Sequence, residues 1–233
     1  VWLKRRTDAG YHHNLFDSVR GATQLVYANL AGDMGTKTEG VTSFNSDGFT
    51  VGNDGDCNAS GKSHVAWCWK ANGSGAANSE GNTTTTKTSA NTSSKFSIIT
   101  YDGDGAAATL GHGLGAVPHF ILQKNIDDSE NWQVYHHKNT SAPETDYLTL
   151  NTTNATGDQS SRWNDTAPTS TLITIGSDSS VSQSGENMFM LAWSEVQGYS
   201  SFGSYVGNTE TGNAGNYIMT GFRPALVIIK EST

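Results

Sequence analysis

Two short clusters of aspartate and glycine contain the residue types that could bind calcium. Asp54 and Asp56 flank Gly55 in Asn-Asp-Gly-Asp, and Asp102 and Asp104 flank Gly103 in Asp-Gly-Asp-Gly. Carboxylate oxygens suit calcium, but neither cluster continues to the distal bidentate glutamate of an EF-hand loop. Asp-Gly is also a strong signal for a tight hairpin turn. The sequence therefore predicts turns at both clusters and no cofactor, with calcium binding as the alternative.

Histidines and acidic residues could form a metal centre or a catalytic site. Two histidine pairs, His12-His13 and His136-His137, are adjacent in the chain, and neighbouring residues of a strand point to opposite faces, so each pair supplies at most one ligand. The sequence has no nucleophile elbow, zinc-protease motif or phosphate-binding loop. Glu195 has no clear acidic partner for glycoside hydrolysis. We therefore predict no metal site and no enzymatic activity, and a polysaccharide depolymerase is the enzymatic alternative.

Three of the six tryptophans could stack on sugar rings. Trp69, Trp132 and Trp163 alternate with polar residues or lie beside turns, which would leave their rings on the surface. An exposed indole ring binds the apolar face of a sugar through dispersion contacts. Trp67 and Trp193 lie in matching apolar runs, so we assign them to the core. Trp69, Trp132 and Trp163 are therefore the candidate glycan-contact residues.

The two cysteines could form a disulfide. Cys57 and Cys68 flank a turn-like segment and would face each other if that segment is a hairpin. In the other interpretation, Cys68 is a buried free thiol between Trp67 and Trp69, and Cys57 has no special role. We favour the free thiol, and the sequence lacks the cysteine and histidine spacing of a zinc site.

Composition limits the kind of fold that can position these residues. Of the 233 residues, 99 are Ser, Thr, Asn or Gly, which favour turns and short strands over helices. A net charge of −8 argues against nucleic acid as a partner, and no apolar run is long enough for membrane insertion. Runs of period two, such as 147–151 and 172–175, indicate strands. We predict an all-β fold of tandem antiparallel β-sandwich modules with jelly-roll or Greek-key connections.

The chain contains two copies of one module. The run 113–124 matches 220–230, the run 96–101 matches 200–205, and residues 1–4 match the end of both longer runs. Two further pairs of runs match in the same order: 49–52 with 173–176, and 65–67 with 191–193. These matches predict four segments: a module lacking its opening strands at 1–71, a flexible Gly/Ser/Thr/Asn linker at 72–95, a complete module at 96–197, and opening strands of a further module at 198–233.

The incomplete modules at the two ends are complementary. We interpret the chain as a piece of a longer tandem protein, so that truncation explains both incomplete ends. The alternative is assembly, in which residues 198–233 of one copy complete the 1–71 module of another copy by adding strands to an open edge.

The chain resembles a repeated module of tail-fibre-like and virion structural proteins of marine bacteriophages, which often lies beside lectin-like sandwich domains. The resemblance covers nearly the whole chain and rests on runs such as VWLKRR, LFDSVRGATQ, VTSFNSDGFTVG, HVAWCWKA, SANTSSKFSIITYDGDG, GHGLGAVPHFILQKN and MTGFRPALVIIK. It implies an extended, modular surface protein of a virion and does not identify a catalytic residue. Two positions depart from the pattern, because Ser194 stands where cysteine is more common and Cys57 is an additional cysteine.

Together these features predict a non-enzymatic structural and adhesion module of a phage tail fibre or similar virion appendage. The expected location is the virion surface, outside the cell. The expected partners are other copies of the chain, in a homo-oligomer or fibre, and host cell-surface polysaccharide bound weakly through many copies. The alternative is a pure spacer or filament subunit that is assembled by strand exchange and has no ligand.

Overall fold

The computed structural model describes residues 1–210 and 212–233, and the regular secondary structure of these residues is mostly antiparallel strands. The predicted all-β sandwich fold is confirmed. The α-helices of this described part are single turns of four residues. None of its helices is long and apolar enough to cross a bilayer.

The first sheet is formed by residues 2–67 and has five strands. They are β1 (Trp2–Arg5), β2 (His13–Asp17), β3 (Gly21–Tyr27), β4 (Gly35–Thr36) and β7 (His64–Trp67), in the spatial order β4-β3-β2-β1-β7. Between β4 and β7, the chain forms the hairpin β5 (Val41–Phe44) and β6 (Phe49–Val51), followed by α1 (Gly55–Asn58). The hairpin and α1 share an apolar core with one face of this sheet.

The second sheet has eight strands. They are β8 (Ala76–Asn78), β9 (Thr85–Asn91), β10 (Phe96–Asp102), β12 (Phe120–Asn125), β13 (Gln133–His136), β14 (Asp146–Thr149), β15 (Gly157–Asp158) and β17 (Asn187–Trp193), in the order β15-β14-β13-β12-β17-β10-β9-β8. The pair β11 (Ala108–Gly111) and β16 (Leu172–Ile175) and the turn α2 (Ser160–Trp163) pack on one face. The third turn, α3 (Ser179–Ser182), contacts β12.

The two sheets repeat one strand order. The strands β4-β3-β2-β1-β7 form the first repeat, and they correspond to β15-β14-β13-β12-β17 of the second repeat. Lys4 of β1 and Lys124 of β12 are equivalent. Trp69 lies four residues beyond the partner of Lys4, and Trp193 lies four residues beyond the partner of Lys124. Trp69 is therefore the counterpart of Trp193. The match of Trp67 with Trp193 is wrong by two residues, because pairing with the central strand sets the register of the repeat.

Both repeats also share a local motif at their short helices. Asp54 and Asp178 are N-caps, and each side chain accepts a hydrogen bond from the backbone N–H two residues further on. This bond satisfies a donor that the first helical turn leaves free. Gly52 and Gly176 precede the caps, and a Cβ at Gly176 would lie 2.1 Å from the carbonyl oxygen of Ser161. Only glycine fits this close approach between backbones.

Residues of both repeats form one central core. Trp2, Leu15 and Val26 of the first repeat pack with Leu122 and Val134 of the second. Equivalent faces of the two sheets are thus buried against each other, and a smaller core lies on the other side of each sheet. The segments 1–71 and 96–197 therefore share a core, whereas the sequence predicted separate modules.

The predicted flexible linker at 72–95 is wrong over much of its length. It contains β8 and β9, and β9 pairs with β10 through five residue pairs. Thr85 and Ser89 of β9 are buried. The segment has no apolar periodicity, but threonine suits a strand once a partner strand is present.

The predicted opening strands at 198–233 are not formed. Within the described residues of this segment, the structure has a single 3₁₀ turn at Gly212–Ala214 and no strand. Its apolar side chains are correspondingly exposed, and they include Tyr205, Val206, Tyr217 and Met219.

Candidate functional site

An open cleft lies between the first sheet and the last residues of the chain. Its volume is about 400 Å³. The lining residues come from the first repeat, the second repeat and the tail, and they are Trp2, His13, Ala28, Asn29, Trp67, Leu150, Leu226, Val227, Ile228 and Ile229. Aromatic rings and a few polar groups therefore meet in one concave surface, as in many binding sites for small molecules.

Hydrogen bonds fix the rings of the cleft. The indole Nε1 of Trp2 donates to His13 Nδ1 at 2.9 Å, and the backbone N–H of His13 donates to Asn29 Oδ1 at 2.8 Å. Trp67 meets Trp2 edge to face with the ring centroids 6.4 Å apart. Burial lowers the pKa of His13, which favours the neutral ring that accepts the hydrogen bond from the indole N–H. The cleft thus offers flat aromatic and aliphatic surface together with an amide that can hydrogen-bond.

Two of the three predicted glycan-contact tryptophans are buried. Trp132 is 0% exposed and Trp163 is 2% exposed, so neither ring can reach a sugar in this fold. Trp69 is half-buried and packs against Trp2, Phe96 and Trp193 in the central core. The predictions for Trp132 and Trp163 are wrong because both rings pack in apolar cores, Trp132 between the two sheets and Trp163 on the other side of the second sheet.

Trp67, which the sequence assigns to the core, is instead half-buried and lines the cleft. Its counterpart in the second repeat is Leu191, which is buried in the central core. The signal that separates Trp67 from Trp193 is the register of the repeat, which strand pairing sets.

The four aspartates of the two acidic clusters have structural partners. Lys37 Nζ lies 3.1 Å from Asp54 Oδ1 and 2.6 Å from Asp56 Oδ2. Burial alone would lower the pKa of Lys37, but the hydrogen bonds to Asp56 and Asp54 outweigh it and raise that pKa. In the second cluster, Asp104 accepts from the backbone N–H of Ala106 at 2.9 Å.

Asp102 lies at the end of β10 and accepts from the hydroxyl of Thr86 at 3.4 Å. In the described part of the chain, no group of three or more His, Cys, Asp or Glu side chains is placed to hold a metal ion. The two acidic clusters thus act in turns, helix capping and ion pairing. Calcium binding at these clusters stays a prediction.

The two cysteines are free thiols. The predicted burial of Cys68 is wrong, because Cys68 is exposed and Cys57 is the buried thiol. Cys57 lies in α1 and packs in the outer core of the first repeat, at the position equivalent to Val181 in α3. Burial raises the pKa of the Cys57 thiol to about 12, so it acts as a small apolar side chain.

Histidines directly before β12 and at the end of β13 hold the segment after β17. His119 and His137 have ring centroids 4.4 Å apart. His137 Nε2 donates to the carbonyl oxygen of Phe202 at 2.8 Å, and the backbone N–H of Glu195 donates to His119 Nδ1 at 2.9 Å. The ring of Phe202 stacks on Phe120 at 5.4 Å. The loop that carries Phe202 is therefore anchored on the second repeat.

Glu195 supports the same loop, since its Oε1 accepts from the backbone N–H of Phe202 at 2.7 Å and from Ser201 Oγ at 3.3 Å. Burial lowers the pKa of His119, and it lowers the pKa of His136 to about 4. Neutral imidazoles are required here because His119 and His136 each accept a backbone N–H at Nδ1. Glu195, the candidate acid for glycoside hydrolysis, thus holds the loop that carries Phe202.

The comparisons with known proteins reach the level of a family. No curated protein and no solved structure is significantly similar to the chain. A family model matches residues 1–233 and is described as a domain of unknown function. The chain therefore belongs to the family DUF7483.

Proposed function

We propose that this chain is a non-enzymatic structural module of a tail fibre or similar virion appendage. The observation that carries the proposal is the central core, in which two copies of one sheet bury equivalent faces against each other. Trp132 of the second repeat also donates to the carbonyl oxygen of Tyr27 in the first, at 2.9 Å. Joined repeats of this kind suit a protein that must hold a fixed form outside the cell.

The sequence resemblance to virion structural proteins supports the same proposal. The Ser/Thr/Asn/Gly-rich surface and the net charge of −8 are compatible with a solvated extracellular module. Other copies of the chain are the proposed partners, and the proposal assigns no catalytic residue and no cofactor.

Immuno-electron microscopy tests this proposal directly. Antibodies raised against the purified chain should label an appendage of virions that encode it, at regular positions along the appendage. Virions that lack the gene are the control. The proposal would be contradicted if the antibody labelled only the capsid shell, or if it labelled neither intact nor opened particles.

Glycan adhesion is the second proposed function, and the aromatic cleft is the observation that favours it. The half-buried ring of Trp67 lines the cleft, and Asn29 offers an amide there. A glycan array with the intact chain should show weak binding that strengthens when the chain is displayed in many copies. Trp67→Ala should reduce that binding about tenfold or more, as expected for loss of one stacking contact worth about 1.4 kcal/mol.

Tyr217→Ala is a matched control, because Tyr217 is an exposed aromatic residue that does not line the cleft. Equal losses in the two variants, or no glycan bound at any valency, would remove the adhesion function and leave the structural one standing.

A further inference from the structure

Three histidine rings of the second repeat lie together beside the segment that follows β17. His119 directly precedes β12, His136 ends β13, and His137 is the next residue. The ring centroids of His119 and His137 are 4.4 Å apart, and those of His136 and His137 are 5.6 Å apart. All three side chains are only partly buried, so protons from solvent can reach them. We call these histidines, together with Glu195 and Phe202, the latch.

The hydrogen bond at His119 requires a neutral ring. The backbone N–H of Glu195 donates to His119 Nδ1 at 2.9 Å, so the neutral ring carries its proton on Nε2. A second proton can therefore bind only at Nδ1. Protonation there turns the acceptor into a donor and sets two N–H groups against each other. The bond between His119 and Glu195 is then lost.

The other two rings respond differently to a proton. His136 Nδ1 accepts from the backbone N–H of Lys138 at 3.1 Å, so its protonation breaks a bond within its own loop. His137 Nε2 donates to the carbonyl oxygen of Phe202 at 2.8 Å, and a proton added at Nδ1 leaves that bond in place. Protonation of His119 is thus the step that detaches the segment after β17, and charge on the other two rings adds repulsion.

The attachment of residues 195–202 depends on this cluster. In the described part of the chain, the hydrogen bonds by which these residues reach the second repeat go to His119 and His137. The other contact is the ring of Phe202, which stacks on Phe120 at 5.4 Å and meets the edge of His136 at 6.4 Å. The remaining bonds of the segment are internal, such as the one from the backbone N–H of Phe202 to Glu195 Oε1. Loss of the histidine bonds therefore leaves one ring contact.

The charged groups that face the rings come from the loop after β13 and the segment after β17. Burial has the largest effect and lowers the pKa of His119 and that of His136, the latter to about 4. His137 lowers both pKa values further, and Lys138 lowers that of His119. The carboxylate of Glu195 raises both. The folded latch therefore favours neutral His119 and His136 at neutral pH and loses this advantage in acid.

We propose that the latch is an acid-sensitive switch, in which protonation of His119 releases residues 195–202 from the second repeat and uncovers Phe120. The two states are a segment held on the second repeat and a segment free to move relative to it. The inference goes beyond the proposed structural function and does not depend on it, because the release concerns a contact within one chain.

Nuclear magnetic resonance of the isotope-labelled chain tests the switch between about pH 7 and about pH 4. Ring-carbon shifts report when His119 becomes charged. As it does, nuclear Overhauser contacts between the rings of Phe202 and Phe120 should weaken about fivefold or more. Contacts between Ile98 and Leu191, which pair β10 with β17, should persist and show that the release is local.

Two results in the unmodified chain would overturn the proposal. The first is a contact between Phe202 and Phe120 that persists while His119 is charged. The second is loss of this contact only together with the contact between Ile98 and Leu191, since acid would then unfold the whole repeat.

Three variants identify the group that switches. In His119→Asn, an amide oxygen replaces Nδ1 as the acceptor for Glu195 and cannot be protonated, so most of the contact between Phe202 and Phe120 should remain at about pH 4. Glu195→Gln keeps an amide oxygen for the N–H of Phe202 and should still release in acid. His12→Asn removes a histidine of the first repeat and should leave the release unchanged. Equal release in His119→Asn and the unmodified chain, or its abolition in Glu195→Gln or His12→Asn, would refute the assignment to His119.

Discussion

Replacing Trp132 with phenylalanine tests whether the central core joins the two repeats energetically. Trp132 is fully buried, and its indole Nε1 donates to the carbonyl oxygen of Tyr27 at 2.9 Å. The change removes this donor and part of the ring volume. Lost packing costs about 1–2 kcal/mol, and loss of the hydrogen bond adds about 1–1.5 kcal/mol. We therefore expect the free energy of unfolding to fall by about 2–3.5 kcal/mol.

Trp163→Phe is the matched control. Trp163 is also buried, but it lies in the outer core of the second repeat, and its Nε1 has no hydrogen-bond partner within the described chain. The same substitution should therefore cost only the packing contribution of about 1–2 kcal/mol. The difference in the free energy of unfolding between the two variants gives the contribution of the hydrogen bond from Trp132 to Tyr27.

Urea unfolding followed by far-UV circular dichroism measures both variants without dependence on the replaced fluorophore. We expect one cooperative transition in the unmodified chain, with the midpoint of Trp132→Phe below that of Trp163→Phe. Equal midpoints would refute the energetic role of the bond to Tyr27. Two separate transitions in the unmodified chain would refute the shared core as a cooperative unit.

Three further predictions concern the repeat motif, the histidines and the thiols. Gly176→Ala should destabilise the fold by more than about 2 kcal/mol in thermal unfolding, because its Cβ would lie 2.1 Å from a backbone oxygen. Gly55→Ala is the control, because a Cβ there would enter open space, and it should change stability by less than about 0.5 kcal/mol. The pKa of His136 is lowered to about 4 in the folded chain, so the unfolded chain binds the proton first. The free energy of unfolding should therefore decline as the pH falls from about 6.5 toward 4, by about 1–2 kcal/mol after allowance for partial exposure. Urea titrations across that pH range measure the decline, and it should be smaller in His136→Gln. Cys68 should react with a thiol reagent in the folded chain, and Cys57 should react only after unfolding because it is buried and its thiol pKa is raised to about 12; rapid labelling of both would contradict the structure.

The candidate site shows why sequence matching alone misplaced several residues. The apolar runs around Trp67 and Trp193 look alike, but the register is set by hydrogen bonds to β1 and β12, which the sequence does not show. A slip of two residues keeps each side chain on the same face and changes which tryptophan lies at the centre of the core. The sequence also could not show the cleft that includes Trp67, because the residues that line it are far apart in the chain.

Local sequence chemistry by itself determined the all-β class, the repeat and the turns. Glycine, asparagine, serine and threonine at high content disfavour long helices, and period-two runs bury one face of a strand, so these features need no knowledge of distant partners. Matching runs in a constant order similarly revealed two copies of one unit.

Tertiary structure alone decided which tryptophans are buried, which thiol is exposed and where the second sheet ends. Thr85–Asn91 becomes a strand because β10 offers an edge, and 200–205 forms no strand because it has no such partner in the described chain. Strand formation depends on hydrogen bonds and side chain contacts between distant segments, and the physical cause is therefore non-local. For this protein, sequence specifies the strands, and the available edges decide which of them pair.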